Sequence, residues 1–406
     1  MGLDLGLEQA GIETIACCEI DRQCCATIRI NKKNTSVFEK SVSDIEPIRL
    51  AESLKLDSLF ILAGGPPCQS FSSAGNRSGL NDARGNLVFE YFRFVKELRP
   101  AAFIFENVGN ILTSALKHRP IHLRPGNHWN LAKYSRENIK STDNNKQLSD
   151  DEMSGSAFRY LIEQIHTLNY SISFGILNAA DYGAPQKRIR FCMLGFRDVN
   201  ETGQPKAIYG HDIKKTYITL KDAIYDLANN PGPHSVYTSR IAEFFVKIPP
   251  GGNWKNLPLE DQKEILGGSF YSGGGKTGFM RRLQWDLPSP TLTTKANRKG
   301  TALCHPDYIR PLSVHEYKRI QGFPDDWVVT GAMNQQYQQI GNAVPVQLGK
   351  ALGEQILSTL SERAPKRPQS LIELHSQMDI CIKKLRRYAR NNTKGNNEQA
   401  ALFEEL

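Results

Sequence analysis

The chain has 406 residues, of which 40% are hydrophobic, and its 51 Lys and Arg against 42 Asp and Glu give a net charge of +9. This length indicates two or three domains, and the hydrophobic fraction excludes a wholly disordered chain. The basic excess favours a polyanionic partner only weakly, because many proteins are equally basic. No apolar run approaches the ~20 residues that a membrane helix needs, so we expect no membrane association. The eight cysteines lack zinc-site spacing and a small disulfide framework, which indicates a reducing intracellular compartment.

The first 110 residues alternate helix-like and strand-like segments. Helices are predicted over residues 2–10, ended by Gly11, and 86–98, with strands over 12–20, 58–63 and 101–105. Continuous apolar strands separated by helices predict a parallel sheet covered on both faces, with its chemistry at the carboxyl ends of the strands. Glu19, Cys68 and Glu106 stand at or just beyond such ends.

The rest of the chain divides by composition. We interpret residues 1–198 as one domain with a polar insertion at 113–156, 199–288 as a separate glycine-rich domain, 289–360 as a return to the first domain, and 361–406 as a tail. Further elements are a helix over 158–168, strands over 170–177 and 189–196, and a helix over 346–360.

The tail carries a helical pattern of its own. Apolar residues recur at spacings of three and four, and basic residues oppose them: Leu371, Leu374, Met378, Cys381, Leu385 and Tyr388 against Lys383, Lys384, Arg387 and Arg390. This pattern predicts an amphipathic helix that packs on the protein itself or on a partner, and more weakly one that touches DNA.

Residues 64–72, GGPPCQSFS, are the most informative stretch. A lone cysteine at the end of a strand is more often a packed residue than a nucleophile. Here two glycines and two prolines force a tight turn at the edge where a parallel sheet carries its active site. Cys68 would then be exposed on a rigid turn, where cationic neighbours favour the reactive thiolate, and the small-residue loop after it suits a lid.

Three later blocks supply polar groups. Glu106 in ENV is a candidate acid after an apolar strand, and Asn342 lies in a turn, GNAVP, before a helix. Residues 186–190, QKRIR, place Gln186, Arg188 and Arg190 on one face of a strand, although an ordinary solvated edge strand has the same pattern.

In this order the blocks resemble those of the bacterial-type DNA (cytosine-5)-methyltransferases. They are PPCQSFS (66–72), DxRGxL (82–87), ENV (106–108), QKRIR (186–190), RPLSVHEYKRIQGFP (310–324) and IGNAVP (340–345). The resemblance implies an α/β fold with a doubly wound, Rossmann-like, S-adenosylmethionine-dependent sheet. A smaller irregular target-recognition domain would occupy residues 199–288.

The resemblance also implies catalytic roles. Cys68 would attack carbon 6 of cytosine, Glu106 would hold ring nitrogen 3 and the exocyclic amine, and Arg190 would hold the ring carbonyl oxygen. Gln186 and Arg188 would brace the catalytic loop and Glu106.

For S-adenosylmethionine the resemblance implies a second set of residues: Glu19 on the ribose, Asp44 and Ile45 at the adenine, Pro67 and Leu87 packed on the cofactor, and Asn342 near the methionine part. For Asp44, a helix cap before Pro47 is an open alternative.

The implied substrate is double-stranded DNA, from which the target cytosine must be flipped out. Residues expected to contact it are Gln69, Ser72 and Arg84 in the closing loop, Gln186, and Lys276, Arg281 and Arg282 in the variable region. The last three would read guanine or only neutralise phosphates. We also expect a monomer in the bacterial cytoplasm, at the nucleoid, and a cognate restriction endonuclease acting on the same site.

Two rival functions stay open at this stage. A tRNA cytosine-5 methyltransferase shares the catalytic blocks, and an inactive DNA-binding fragment would keep the basic surface. A nucleotide-dependent dehydrogenase is excluded, because no GxGxxG follows a first strand.

The resemblance further implies a first strand and a glycine-rich FxGxGG turn before the helix that opens at Met1. That strand would lie between the one ending at Glu19 and the one leading to Cys68. We therefore expect a fragment or a start codon assigned too far downstream. We also expect the chain as written to bind S-adenosylmethionine poorly and to be weakly active or inactive.

Overall fold

The computed structural model describes residues 1–67, 86–117, 149–199, 203–271, 278–361 and 369–401. The strands are β1 (Ala16–Glu19), β2 (Ser36–Glu39), β3 (Ile61–Gly64), β4 (Ala102–Asn107), β5 (Ser171–Asn178), β6 (Gln186–Lys187), β7 (Ile189–Phe196), β8 (Arg281–Arg282), β9 (Ser289–Pro290) and β10 (Leu303–Cys304). The α-helices are α1 (Gly2–Gln9), α2 (Arg22–Asn31), α3 (Pro47–Ser53), α4 (Asn86–Leu98), α5 (Ser156–His166), α6 (Leu220–Ile224), α7 (Ser239–Val246), α8 (Leu259–Leu266), α9 (Val314–Gln321), α10 (Met333–Asn342), α11 (Val346–Ser361) and α12 (Leu371–Ala401). Within these ranges no helix combines the length and the apolar character needed to cross a membrane.

A four-stranded sheet has the order β3-β4-β7-β5. β3 and β4 are parallel, whereas β7 is antiparallel to both β4 and β5. The expectation of a wholly parallel sheet is therefore wrong for β7. The link between Asn178 and Ile189 explains the difference, because a parallel crossover needs about a dozen residues or more.

Both faces of β4 are buried, and its side chains alternate between two cores. Phe103 and Phe105 pack with α4 and α5, while Ala102 and Ile104 pack with residues of α1 and α11. The sheet is thus covered by helices on both sides, as the continuous apolar run predicts.

β1 and β2 form a separate parallel pair, and among the described residues β1 has no partner other than β2. The strand predicted over residues 12–20 covers only Ala16–Glu19 in the structure, and its side chains are half-buried. Ile20, directly after it, is 70% exposed. β3 pairs only with β4 in the described ranges, and Ala63 on it is exposed. Strands with a single partner lack the second neighbour that would cover them, which explains why these apolar runs are not fully buried.

α1 packs directly against α11 through backbone contact. A methyl group at Gly6 would come within 2.3 Å of Val346 O, and one at Gly2 within 1.9 Å of Val344 O. Glycine is required here because the two helices approach each other too closely for any side chain. α1 is thereby fixed beside the turn that directly follows Asn342.

A smaller unit has its own core, built from α7, α8 and the strands β8 and β10. Its fully buried hydrophobic side chains are those of Phe245, Ile248, Met280, Ala302 and Cys304. α6 packs instead with α9 and α10. The sequence-based domain bounds stay a prediction, and this core brings together residues on both sides of position 288.

The tail forms α12, as its apolar spacing predicts. Leu374, Met378 and Cys381 are buried in the same core as β5 and α5, and Leu385 and Tyr388 pack at its margin. The stripe of apolar side chains therefore packs on the protein itself.

Candidate active site

Three strand ends meet at one edge of the four-stranded sheet. β3 ends at Gly64, which pairs with Phe105, and β4 ends at Asn107, which pairs with Phe191 near the start of β7. Because β3 and β4 are parallel and β7 runs the other way, the ends of the first two and the start of the third lie together. This is the edge at which the sequence predicts the active site.

Glu106 and Arg190 form an ion pair at this edge. Arg190 Nε lies 2.8 Å from Glu106 Oε1, and both side chains are largely buried. The guanidinium also donates to the carbonyl oxygen of Ile189, at 2.8 Å. A charge-assisted bond in a partly desolvated position fixes the carboxylate in one orientation.

The turn that leads to Cys68 lies against this carboxylate. A methyl group at Gly65 would come within 2.8 Å of Glu106 Oε2. Asn107 Nδ2 donates to the carbonyl oxygen of Pro66, at 3.3 Å. The two residues before Pro67 thus touch the end of β4, which places the start of the PPCQ turn beside Glu106.

Several predicted site residues lie outside the described residues: Cys68, Gln69, Ser72, Arg84 and Lys276. The seven other cysteines are free thiols. Burial raises the pKa of Cys17, Cys18 and Cys381 to about 11 and that of Cys24 and Cys304 to about 12, and it also raises the pKa of Cys25 and Cys192. All seven therefore stay protonated near neutral pH and are poor nucleophiles.

Arg188 and Gln186 are buried and hydrogen-bonded to neighbouring segments of the protein. Arg188, 2% exposed, donates to the carbonyl oxygens of Leu292 (3.1 Å) and Gly341 (2.8 Å). Gln186 is fully buried, accepts from Leu292 N and donates to Gln321 Oε1, both at 2.9 Å. A substrate-contacting role for Gln186 is therefore wrong, since no part of its side chain reaches solvent. Arg188 thus contacts two backbone segments, and its bracing of the catalytic loop and Glu106 stays a prediction.

Glu19 and Asp44 are the two carboxylates that the sequence predicts to bind the cofactor. Glu19 ends β1, and its Oε1 accepts from Asp21 N at 2.8 Å. Asp44 is exposed, and the position that caps α3 is Glu46, so the helix-cap alternative for Asp44 is wrong. Ile45, beside it, is buried, and its carbonyl oxygen accepts from Arg93 Nη2 at 2.9 Å. Arg93 thereby ties the Asp44 segment to α4.

The other three cofactor candidates lie at the ends of elements. Pro67 is exposed after β3, Leu87 is half-buried in the first turn of α4, and Asn342 is exposed at the end of α10. α2, which follows Glu19, is joined to α10 by a bond from Thr27 Oγ1 to Gln339 Oε1, at 2.7 Å. This contact fixes the β1–α2 unit relative to the helix that carries Asn342.

Of the two described arginines predicted for target recognition, Arg282 is hydrogen-bonded inside the smaller unit. Arg282 Nε donates to Pro306 O at 2.9 Å, and its Nη1 donates to Ile248 O at 3.0 Å. These bonds hold the unit together, and base or phosphate contact by Arg282 stays a prediction. Arg281 is half-buried, and burial lowers the pKa of its guanidinium.

Sequence reasoning missed two residues that shape the site. The sequence predicts Gly65 only as part of a tight turn. Its contact with Glu106 depends on the pairing of β3 with β4. Tyr91 of α4 is buried, and its Oη lies 2.6 Å from Ile104 O and 3.1 Å from Leu62 O, so it links β3 to β4. The sequence predicts the helix over 86–98 that contains Tyr91, but its periodicity does not reveal hydrogen bonds to the two site strands.

A family model described as "C-5 cytosine-specific DNA methylase" matches residues 1–121 and 139–358. Among curated proteins, the chain is 37% identical to the type II methyltransferase M.PspPI of Psychrobacter sp. (strain TA137), covering 90% of this chain and 78% of that protein. It is 38% identical to M.Eco47II of Escherichia coli, covering 89% and 77%. It is 36% identical to M.Sau96I of Staphylococcus aureus, covering 89% and 74%.

Two solved structures share the fold. The first, titled as a DNA modification methyltransferase encoded within a prophage (E. coli), has a TM-score of 0.60 at 20% identity and covers 89% of this chain and 96% of its own. The second, the Entamoeba histolytica methyltransferase EhMeth, has a TM-score of 0.51 at 16% identity and covers 88% and 95%. At these identities the likeness concerns the fold alone.

Proposed function

Because the chain belongs to the C-5 cytosine-specific DNA methylase family, we propose that it methylates carbon 5 of a flipped-out cytosine through a covalent adduct with Cys68. The substrate is a specific duplex DNA sequence, and the role is the modification half of a restriction-modification system. The observation that carries the proposal is the contact of Glu106 with both Arg190 and the turn before Cys68.

Cys68 and Glu106 divide the chemistry between them. The Cys68 thiolate forms a bond to carbon 6, and the displaced electron pair makes carbon 5 nucleophilic. Glu106 holds ring nitrogen 3 and the exocyclic amine, and Arg190 keeps the carboxylate oriented for this contact. After methylation a base removes the carbon 5 proton, and the returning electrons expel the thiolate.

The described residues fit S-adenosylmethionine, which when bound supplies the methyl group. The Glu19 and Asp44 carboxylates offer hydrogen-bond acceptors for ribose hydroxyls and the adenine amine. Asp44 does not cap the helix that begins at Pro47. Pro67 and Leu87 offer apolar surface, and Asn342 is exposed at the end of α10. These residues would bind and orient the cofactor.

The names of the curated relatives favour duplex DNA over tRNA as the substrate. The three relatives at 36–38% identity are each named type II methyltransferases. Methyl transfer onto duplex DNA and onto tRNA by the same preparation separates the two substrates. We further propose that Lys276 and Arg281 face the duplex, that the protein acts as a monomer in the bacterial cytoplasm, and that a restriction endonuclease recognises the same site.

Bisulfite sequencing of DNA from cells that express the protein tests the function and reports the target sequence together. We expect methylcytosine at one short sequence, at a low level because cofactor binding is weak, and none with Cys68→Ser, because a neutral hydroxyl cannot readily attack carbon 6. Duplex binding should persist in Cys68→Ser, and duplex containing 5-fluorocytosine should trap the unaltered protein covalently. Turnover by Cys68→Ser at the unaltered rate would refute the covalent mechanism.

A further inference from the structure

We infer that the basic face of α12, defined here as Lys383, Arg386 and Arg387, binds the phosphate backbone of the DNA substrate beside the active-site edge. The inference rests on the proposed function, which supplies the duplex. α12 follows the segment that the family model matches, since that match ends at residue 358. All three side chains are exposed, whereas the apolar stripe of the same helix is buried against the protein.

The direction of α12 brings this face to the active-site edge. Near its start, Gln377 Nε2 donates to Phe174 O at 3.0 Å, and further along, Tyr388 Oη lies 3.4 Å from Asp181 Oδ2, just past the end of β5. β4 and β5 are both antiparallel to β7 and therefore point the same way. The C-terminal half of α12 thus arrives at the edge that carries Glu106.

A contact between Leu385 and Gly109 limits the distance between the basic face and Glu106. A methyl group at Gly109 would come within 2.7 Å of Leu385 Cδ1, and Gly109 is three residues from Glu106, at most ~10 Å along an extended chain. Arg386 and Arg387 directly follow Leu385 in the helix. The basic face therefore begins within about 20 Å of Glu106, which corresponds to roughly six base pairs along a duplex.

The charge pattern differs from that of an ordinary solvated helix face. Between Asp379 and Glu398 the sequence has six Lys and Arg and no acidic residue. None of the three residues of the basic face forms an ion pair with a described acidic side chain. Like charges at a spacing of four, as for Lys383 and Arg387, destabilise a helix, and a row of phosphates relieves this repulsion.

The sequence continues the same spacing of basic residues beyond Arg387. Arg390 and Lys394 keep the spacing of three and four residues that begins with Lys383 and Arg387. The backbone remains helical to Ala401, which is ~20 Å beyond Tyr388 at 1.5 Å per residue. An extended cationic helix beside the flipped base suits the backbone of a duplex, whose negative charges recur every ~1.7 Å.

The test compares two triple variants that each remove three positive charges. One is Lys383→Gln, Arg386→Gln, Arg387→Gln. The matched control is Lys33→Gln, Lys55→Gln, Lys96→Gln, whose exposed side chains precede β2, β3 and β4 at the opposite edge. A charge-preserving variant, Lys383→Arg, Arg386→Lys, Arg387→Lys, checks that charge alone matters.

The measurement is fluorescence anisotropy with a random-sequence duplex of about 30 base pairs between about 50 and 200 mM salt. If three phosphate contacts are lost, the unaltered protein should lose about 40-fold more affinity over this range than the first variant. The control and the charge-preserving variant should keep the unaltered salt dependence, and thermal unfolding should be the same for all four proteins.

Equal salt dependence of the first variant and the control would overturn the inference while leaving the proposed function intact. Failure of the unaltered protein to bind the duplex at all would overturn the proposed function, and the inference with it.

Discussion

Glu106 shows how single residues set the geometry of the site. One carboxylate oxygen is paired with Arg190, and the other faces the backbone of Gly65. The carboxylate is therefore held from one side by charge and limited on the other by van der Waals contact. Space for this arrangement exists only because position 65 has no side chain.

Gly65→Ala should lower methyl transfer by roughly 10- to 100-fold with little change in stability, because the new methyl group would displace Glu106 or the turn before Cys68. The matched control is Gly268→Ala, since a methyl group there has no neighbour within 4 Å. Single-turnover methylation of a cognate duplex measures the effect. Equal rates for the two variants would show that the contact with Glu106 is unimportant.

The surroundings of His305 determine its protonation state. It is fully buried, and its Nδ1 accepts from Asp307 N (3.1 Å) and Tyr308 N (3.2 Å). Burial, and then the charges of Arg310 and Arg282, lower its pKa to about 3. The ring is therefore neutral at pH 7, and its 3.8 Å approach to Glu316 Oε1 is not an ion pair.

His305 should make folding stability depend on pH. Between about pH 6.5 and 3 the His305 ring is protonated in the unfolded chain but stays neutral in the folded protein. The free energy of unfolding therefore falls as the pH falls. His305→Asn, which removes the titrating ring, should flatten this part of the profile. Urea unfolding at several pH values provides the measurement, and an unchanged slope in His305→Asn would contradict the assigned pKa.

At the scale of elements, α12 and Gln369, two residues before it, cover the free edge of the four-stranded sheet. β5 is the last strand, and Gln369 uses its side-chain amide to accept from Ile172 N and donate to Ile172 O, both at 2.9 Å. This pairs an edge backbone that would otherwise be open to another chain. α12 also contacts the segment Gly109–Thr113 that directly follows the ENV block.

Leu374→Ala in α12 should lower the free energy of unfolding by about 2–5 kcal/mol, because Leu374 is 1% exposed in the core beneath β5. Ile372→Ala, two residues away and 78% exposed, is the matched control and should change it by less than about 0.5 kcal/mol. Chemical denaturation of both variants measures the difference. Similar values would mean that α12 contributes little to the stability of the fold.

The elements also show where sequence reasoning succeeds and where it fails. Glu106 and Arg190 could be placed at one edge because strand ends and short motifs are local features. The partners of Arg188 and Arg282 could not be assigned, because whether a guanidinium faces a ligand or a buried carbonyl depends on residues that are 24 to 153 positions away. The antiparallel direction of β7 was missed for a simpler reason: the apolar pattern of a strand does not reveal its direction.

At the scale of the whole molecule, the sheet is divided into two parts. In the ranges that the structure describes, β1 pairs with β2, and β3 pairs with β4, with no bond between β1 and β3. β1 and β3 thus each have one unpaired edge and half-exposed apolar side chains. A further strand between them would satisfy the backbone groups and cover these side chains, as the family resemblance implies.

We expect this division to limit cofactor binding. Glu19 at the end of β1 and Pro67 after β3 belong to different parts of the sheet, so no strand fixes the distance between them. A chain with about 15 additional residues before Met1, five or six forming a strand and the others a glycine-rich turn, should bind S-adenosylmethionine more tightly and methylate DNA faster. The same extension with two prolines in the strand cannot complete the ladder and is the matched control. Calorimetric titration of the cofactor into all three proteins measures the effect, and equally tight binding by the chain that begins at Met1 would show that the two-part sheet already forms the full site.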